Sequence, residues 1–244
     1  MIDLHCHLLP GIDDGPATMQ ASELLAKACV DNGITHALLT PHIHPGRYDN
    51  DTDSMRSVFD SFVAMLKTKK INLNVAMAAE VRICPEIVKM IPEGKIPFLG
   101  EVDGKKVILL EFPHSHLLHG SEKMVQWLLD RDIVPMIAHP ERNRDICDSV
   151  DKLAAYIEMG CMVQITAGSV TGRFGTKVKS AADEMLRRGW VNILATDAHN
   201  LKGRPPELRE GVLAAAEVIG MNAANRLVHS AALEIAGTKF MRAD

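Results

Sequence analysis

Histidines and carboxylates recur at the ends of apolar runs along this 244-residue chain. His5 and His7 close the first run, His42 follows the second, and Glu80 and Glu111 close the third and fourth. His139 follows the fifth, and Asp197 with His199 follow the last. Imidazole nitrogens and carboxylate oxygens together suit Mn, Fe or Zn and disfavour Cu(I) or an all-oxygen calcium site. One buried histidine is usually a satisfied core residue. Charged groups at the ends of six runs are different, because burying them is costly unless they are paired or coordinated. His5 and His7 stand two apart, which on a strand points both to one face. Leu4 and Cys6 are then expected to turn toward the helices, with Asp3 on the histidine face to orient an imidazole. Arg142 lies three residues after His139 and Arg204 five after His199. Guanidinium forks there would match phosphate oxygens and stabilise their charge.

Other nucleophiles find no support. None of Cys6, Cys29, Cys84, Cys147 and Cys161 has an arginine six positions later, so the phosphate loop of thiol-dependent phosphatases is absent. Strand parity turns Cys6 away from the histidines. The chain has no G-x-S-x-G elbow, no Walker A loop and no G-x-G-x-x-G. The odd, scattered cysteines without C-x-x-C spacing argue against a disulfide framework and a thiolate zinc site.

Seven apolar runs must position these residues: 2–7, 36–40, 73–81, 107–112, 133–138, 162–166 and 191–195. Amphipathic stretches lie between most of them, the pattern of parallel strands joined by helices. Thr18 is placed to cap the first helix and Gly33 to end it. Met55, Val58, Phe59, Phe62, Val63 and Leu66 recur at helical spacing and predict a helix packed on the sheet. Further helices are expected over 122–130, 150–159, 181–188, 207–219 and 222–232. In a β/α barrel the C-terminal strand ends share one rim, where residues distant in sequence converge. That favours a closed or nearly closed barrel over an open doubly wound sheet.

Lys+Arg 27 against Asp+Glu 31 gives a net charge of −4, so no global positive field gathers nucleic acid or anionic lipid. Aromatics at 4% provide no stacking platform for single strands. The opening residues lack the basic and apolar regions of a signal peptide, and no run approaches the roughly 18 to 20 residues of a membrane span. A cytoplasmic protein without membrane insertion is the expectation.

The ordered set His5-Cys6-His7, Asp13-Asp14-Gly15-Pro16, Thr40-Pro41-His42, Glu80, Glu111, His139-Pro140-Glu141-Arg142 and Asp197-Ala198-His199-Asn200 resembles the PHP (polymerase and histidinol phosphatase) superfamily of metal-dependent phosphoesterases. More narrowly, the opening MIDLHCHLLPGIDDGP and the late TDAHNLKGRPP are similar to bacterial manganese-dependent tyrosine-protein phosphatases of the CpsB/CapC type, over essentially the whole chain. The resemblance implies one domain over 1–244 folded as a distorted (β/α)7 TIM-like barrel with a trinuclear metal centre. It assigns His5, His7, Glu80 and Asp197 to one ion, Glu80, Glu111 and His139 to a second, and Asp14, His42 and His199 to a third. Three divalent ions against four ligand carboxylates leave about +2 to draw in a phosphate. A metal-bridging hydroxide is then the implied nucleophile, with Arg142 and Arg204 as catalytic partners and no covalent phosphoenzyme. Manganese is the implied metal, with iron or zinc as alternatives. The implied substrate is a phosphotyrosine protein, a bacterial tyrosine kinase controlling capsule or exopolysaccharide synthesis.

Alternatives stay open at this level: a PHP phosphatase of a small molecule such as histidinol phosphate or a nucleotide, and a non-catalytic regulator of polysaccharide assembly. The amidohydrolase group also begins with H-x-H, but His199 after Asp197 argues against it. The general acid and the oligomeric state, a homo-oligomer included, are not assigned. His44 and Arg47 are read as solvated loop rather than cleft. His114, His116 and His119 are not promoted to ligands, His36 and His229 are read as structural, and Lys67 to Lys70 as a solvated helix end.

Overall fold

The computed structural model describes residues 1–241. In chain order the strands and helices are β1 (Ile2–Cys6), α1 (Met19–Asp31), β2 (His36–Leu39), β3 (His42–Ile43), α2 (Thr52–Lys69), β4 (Asn74–Met77), β5 (Glu80–Arg82), α3 (Ile87–Met90), β6 (Gly100–Val102), β7 (Lys105–Glu111) and α4 (Ser121–Leu129). There follow β8 (Ile133–Ala138), α5 (Arg144–Asp148), α6 (Ala154–Met159), β9 (Met162–Thr166), α7 (Ala167–Val170), α8 (Thr176–Arg187), β10 (Ile193–Ala195), α9 (Leu208–Ile219), α10 (Met221–Val228) and α11 (Ser230–Phe240). Among the described residues no helix is long and apolar enough to cross a membrane.

The result is a mixed α/β fold whose strand pairs are parallel, except that β6 returns antiparallel on β7 through Asp103 and Gly104. One sheet runs β1-β2-β4 and the other β10-β9-β8-β7-β5-β3. The sheets divide because the second and third expected strands are each interrupted, at Thr40–Pro41 and Ala78–Ala79. Pro41 has no N–H to offer a ladder. The Ala78 N–H still donates to the Leu39 carbonyl at 2.9 Å, and Glu80 to Pro41 at 3.2 Å, across the breaks. At the other margin the Asp197 N–H donates to His5 and the His7 N–H to Ala198, both at 2.8 Å.

Two apolar cores result. A small inner one gathers Leu4, Leu38, Val107, Leu109 and Met136 with Ile235 and Phe240 of α11. The larger one joins the helices to the opposite strand faces. Strict alternation sets Leu4 beside Cys6 on the helix side. Cys6 does pack there, but Leu4 belongs to the inner core. The β1–β2 register shifts between Asp3 and Cys6, and a bulge resets which side chains share a face. The same irregularity corrects Asp3: its carboxylate accepts from the Thr196 N–H (3.0 Å), the Thr196 hydroxyl (2.5 Å) and the His5 backbone N–H (3.3 Å), and orients no ring.

Helix starts follow their caps. Thr18 accepts from the Ala21 N–H, and Asp51 and Ser54 form a reciprocal capping box on α2. α8 begins at Thr176, ahead of the expected 181, because its first turn is polar and shows no apolar period. The single helix expected over 222–232 is two, divided at His229 (φ −129°, ψ −90°), and α11 continues to Phe240.

Candidate metal centre

The strand ends and the segments that follow them bring all nine expected ligands together. His5 lies on β1, His42 opens β3, Glu80 opens β5 and Glu111 ends β7. His7, Asp14, His139, Asp197 and His199 stand in the segments that follow strands. Glu80, fully buried, is at the middle. Its Oε2 lies 3.2 Å from His5 Nε2, 3.2 Å from His7 Nε2 and 3.1 Å from His42 Nδ1, while Oε1 accepts from His139 Nε2 at 2.8 Å. Asp14 Oδ1 lies 3.2 Å from both His42 Nε2 and His199 Nε2.

Ligand atoms within 4.8 Å of one another fall into overlapping sets. One is His5, His7, Glu80 and Asp197; another joins His7 to Asp14, His42 and His199. Glu111 groups with His42 and Glu80, and separately with His114 and His139. His7 thus serves two sets, and exposed His114, its ring 5.3 Å from that of His139, stands at the edge of a third.

Three rings are oriented through Nδ1. His5 Nδ1 donates to Gln164 Oε1 (2.9 Å), His7 Nδ1 to Asp13 Oδ2 (2.7 Å), and His199 Nδ1 to the Asp197 carbonyl (2.8 Å). With that proton committed, each Nε2 presents a lone pair inward. Gln164 Oε1 also accepts the His139 backbone N–H at 3.2 Å, coupling two ligand-bearing segments. His42 Nδ1, Glu80 Oε2 and His199 Nε2 are buried without hydrogen-bond partners, although Glu80 Oε2 lies 3.1 Å from His42 Nδ1 and Asp14 Oδ1 lies 3.2 Å from His199 Nε2. Acceptor atoms held this close without bonding one another are arranged as donors around a shared cation are.

The electrostatics agree with that fit. Burial alone would raise Glu80, but His5, His42 and the hydrogen bond from His139 hold its carboxyl well below the usual range. Burial likewise opposes Asp197, yet His199, His5 and Arg142 keep it ionised. Burial and the neighbouring His7 push His199 down to about 4, leaving a neutral imidazole. His5 and His7 move upward despite burial, because Glu80 and Asp197 beside His5, and Asp13 and Glu80 beside His7, favour positive charge there. Two of the expected ligand positions bend through left-handed backbone, His139 (φ 33°) and Asp197 (φ 51°).

Above this cluster lies a cleft of about 280 Å³. Arg142, in the 3-10 turn Pro140–Arg142, donates to Asp197 and packs over the Phe174 ring. Arg204 donates to Asp14 Oδ2 at 2.7 Å. Both expected arginines therefore reach the cleft, as do His44 and Arg47, which the sequence alone assigns to solvated loop. Arg82 lines it too, paired with Glu111 at 3.0 Å. Arg82, Asp13 and Gln164 are not reached from the sequence pattern. Arg82 stands two residues after Glu80 on one strand face, Asp13 adjoins Asp14, and Gln164 is the one amide in an apolar run, so each carries a signal.

Comparison with known proteins bears on this geometry. The family model described as capsular polysaccharide synthesis, CpsB/CapC, matches residues 1–236. The chain is 33% identical over 233 residues to the tyrosine-protein phosphatase YwqE of Bacillus subtilis, covering 96% of this chain and 91% of that protein. It is 27% identical to the tyrosine-protein phosphatase CpsB of Streptococcus pneumoniae, covering 93% and 94%. A solved structure described with YwqE and CpsB as unique metal-dependent tyrosine phosphatases superposes with a TM-score of 0.88 at 33% identity, covering 96% of this chain and 93% of the other. An organophosphorus hydrolase from Deinococcus radiodurans (TM-score 0.55, 14% identity, 96% and 92% covered) shares the fold alone.

Proposed function

This chain belongs to the CpsB/CapC family of capsular polysaccharide synthesis proteins, and on that premise we propose that it removes phosphate from tyrosine residues of a protein. It is an enzyme, a metal-dependent tyrosine-protein phosphatase. The observation that carries this reading is the set of buried, inward-facing imidazole and carboxylate atoms lacking hydrogen-bond partners beneath an arginine-lined cleft.

His5, His7, Glu80 and Asp197 would hold one divalent cation, Glu80, Glu111 and His139 a second, and Asp14, His42 and His199 a third. Manganese is the proposed ion, with iron or zinc as alternatives. Such ions supply Lewis acidity and lower the pKa of water toward about 7. The protein's own groups do the rest. Gln164, Asp13 and the Asp197 carbonyl keep three rings aimed inward. Arg142 and Arg204 are held in the cleft by Asp197 and Asp14, with further N–H donors free to fork onto phosphate oxygens as their charge spreads. A phenolate leaving group, with a pKa near 10, places little demand on a general acid.

The remaining readings are of the same kind. The substrate is proposed to be a bacterial tyrosine kinase governing capsule or exopolysaccharide synthesis, met in the cytoplasm. Residues 1–244 are proposed as one domain, a distorted (β/α)7 barrel; the bonds between β1 and the residues after β10 support closure.

The test pairs elemental analysis with a substrate panel. The expected result is bound divalent metal, faster hydrolysis of a phosphotyrosine peptide than of histidinol phosphate or a nucleotide, and loss of turnover with a chelator that manganese restores. Full turnover after chelation, or preference for a small phosphate ester, overturns the proposal.

A further inference from the structure

Among the residues lining the cleft, Tyr48 carries the only benzenoid ring; its companions are acidic, basic or imidazole side chains. An aryl phosphate has apolar ring surface to bury, which an aromatic ring or a guanidinium face can cover and a carboxylate cannot. Tyr48 is also firmly placed. His44 and Tyr48 exchange backbone bonds of 3.0 and 2.8 Å around Gly46 (φ 80°), and the Asn50 amide bonds to the Ile12 and His42 carbonyls at 2.8 Å each. The loop therefore presents Tyr48 as a wall, not as a drifting chain.

The ring lies within 9° of parallel to that of His42, with centroids 5.5 Å apart. Exposed Arg47 places its guanidinium carbon 5.0 Å from the Tyr48 centroid. Exposed Arg47 and the half-buried imidazole of His42 thus both stack against the Tyr48 ring. A phosphate seated among the arginines would leave its ester group beside this stack. An aromatic ring entering the cleft would meet the tyrosine ring and the guanidinium beside it.

Resting on the phosphatase reading above, we propose that Arg47 and Tyr48 form the subsite for the aromatic ring of the substrate and give the enzyme its preference for aryl over alkyl phosphates. The test compares phenylphosphonate with methylphosphonate as competitive inhibitors of the manganese-loaded enzyme, in the parent and in Tyr48→Ala, Tyr48→Phe and Arg47→Ala. In the parent, phenylphosphonate should bind more tightly. Tyr48→Ala should weaken phenylphosphonate about 3- to 10-fold, the range of one aromatic contact, and leave methylphosphonate within about twofold. Tyr48→Phe should keep the parent's ratio, and Arg47→Ala should lower it. On a phosphotyrosine peptide, Tyr48→Ala should raise KM more than it lowers kcat. Equal weakening of both inhibitors would show that Tyr48 merely props His42, and an unchanged ratio would show no contact; either overturns the proposal. If the parent fails on the peptide yet Tyr48 still selects phenylphosphonate, the phosphatase reading falls while the subsite stands.

Discussion

Replacing Gln164 by leucine would remove a single oxygen on which two segments bearing proposed ligands hang. Oε1 accepts from His5 Nδ1 at 2.9 Å and from the His139 N–H at 3.2 Å, in a fully buried side chain. Leucine fills similar space but leaves both donors orphaned, at about 1–3 kcal/mol each. It also removes the Gln164 Nε2 group, which is itself buried without a partner, an offset of similar size. The net loss is about 1–3 kcal/mol, a fall in Tm on the order of 2–12 °C for a domain this large. Freed of its anchor, His5 also loses its fixed tautomer, and metal affinity should fall about 10- to 100-fold. Thermal unfolding of chelator-treated protein reads the first quantity, and manganese titration by calorimetry reads the second. Gln164→Glu, which keeps the acceptor, should retain metal affinity. A leucine variant with unchanged Tm and unchanged affinity would refute the argument that this amide holds the rings.

Two further outcomes follow from other parts of the fold. Burial pushes the Asp3 carboxyl up to about 6 from its ordinary 3.8, so its protonated form favours the native state; that contribution is present below pH 4 and lost as pH rises toward 6, on the order of 3 kcal/mol. Asp3→Asn should therefore gain stability relative to the parent between pH 4 and pH 6.5 in paired denaturant titrations, and parallel curves would count against the assignment. Gly100→Ala sets a methyl group 1.9 Å from the Ile235 carbonyl oxygen, forcing α11 away from β6; a loss of about 3 kcal/mol is expected in urea unfolding, and a neutral result would mean that α11 yields at no cost.

The cluster was legible by residue type: imidazoles and carboxylates recur at the ends of apolar runs, and burying so many charged groups together is costly unless they are paired or coordinated. What escaped depends on partners. Asp3 and Leu4 were misplaced because a bulge in β1 breaks the two-residue period, and periodicity carries no mark of register. Gln164 and Arg82 carry meaning only through the groups they touch, His5 and Glu111, which are remote in sequence or hidden by strand order. α11 escaped because its small residues, Ala231, Ala232, Ala236 and Gly237, blur any amphipathic stripe. β6 was different. Asp103-Gly104 before an apolar run is a hairpin signal that could have been read.

The left-handed turns at His139 and Asp197 make heat resistance and chemistry rivals at the same two addresses. Glycine would rest there without the strain of about 1–3 kcal/mol that a side chain of ordinary handedness imposes, but it would bring no ligand atom. Selection for sturdiness alone would tend to erase both proposed ligands, so improvements in robustness have to come from positions that hold no such side chain.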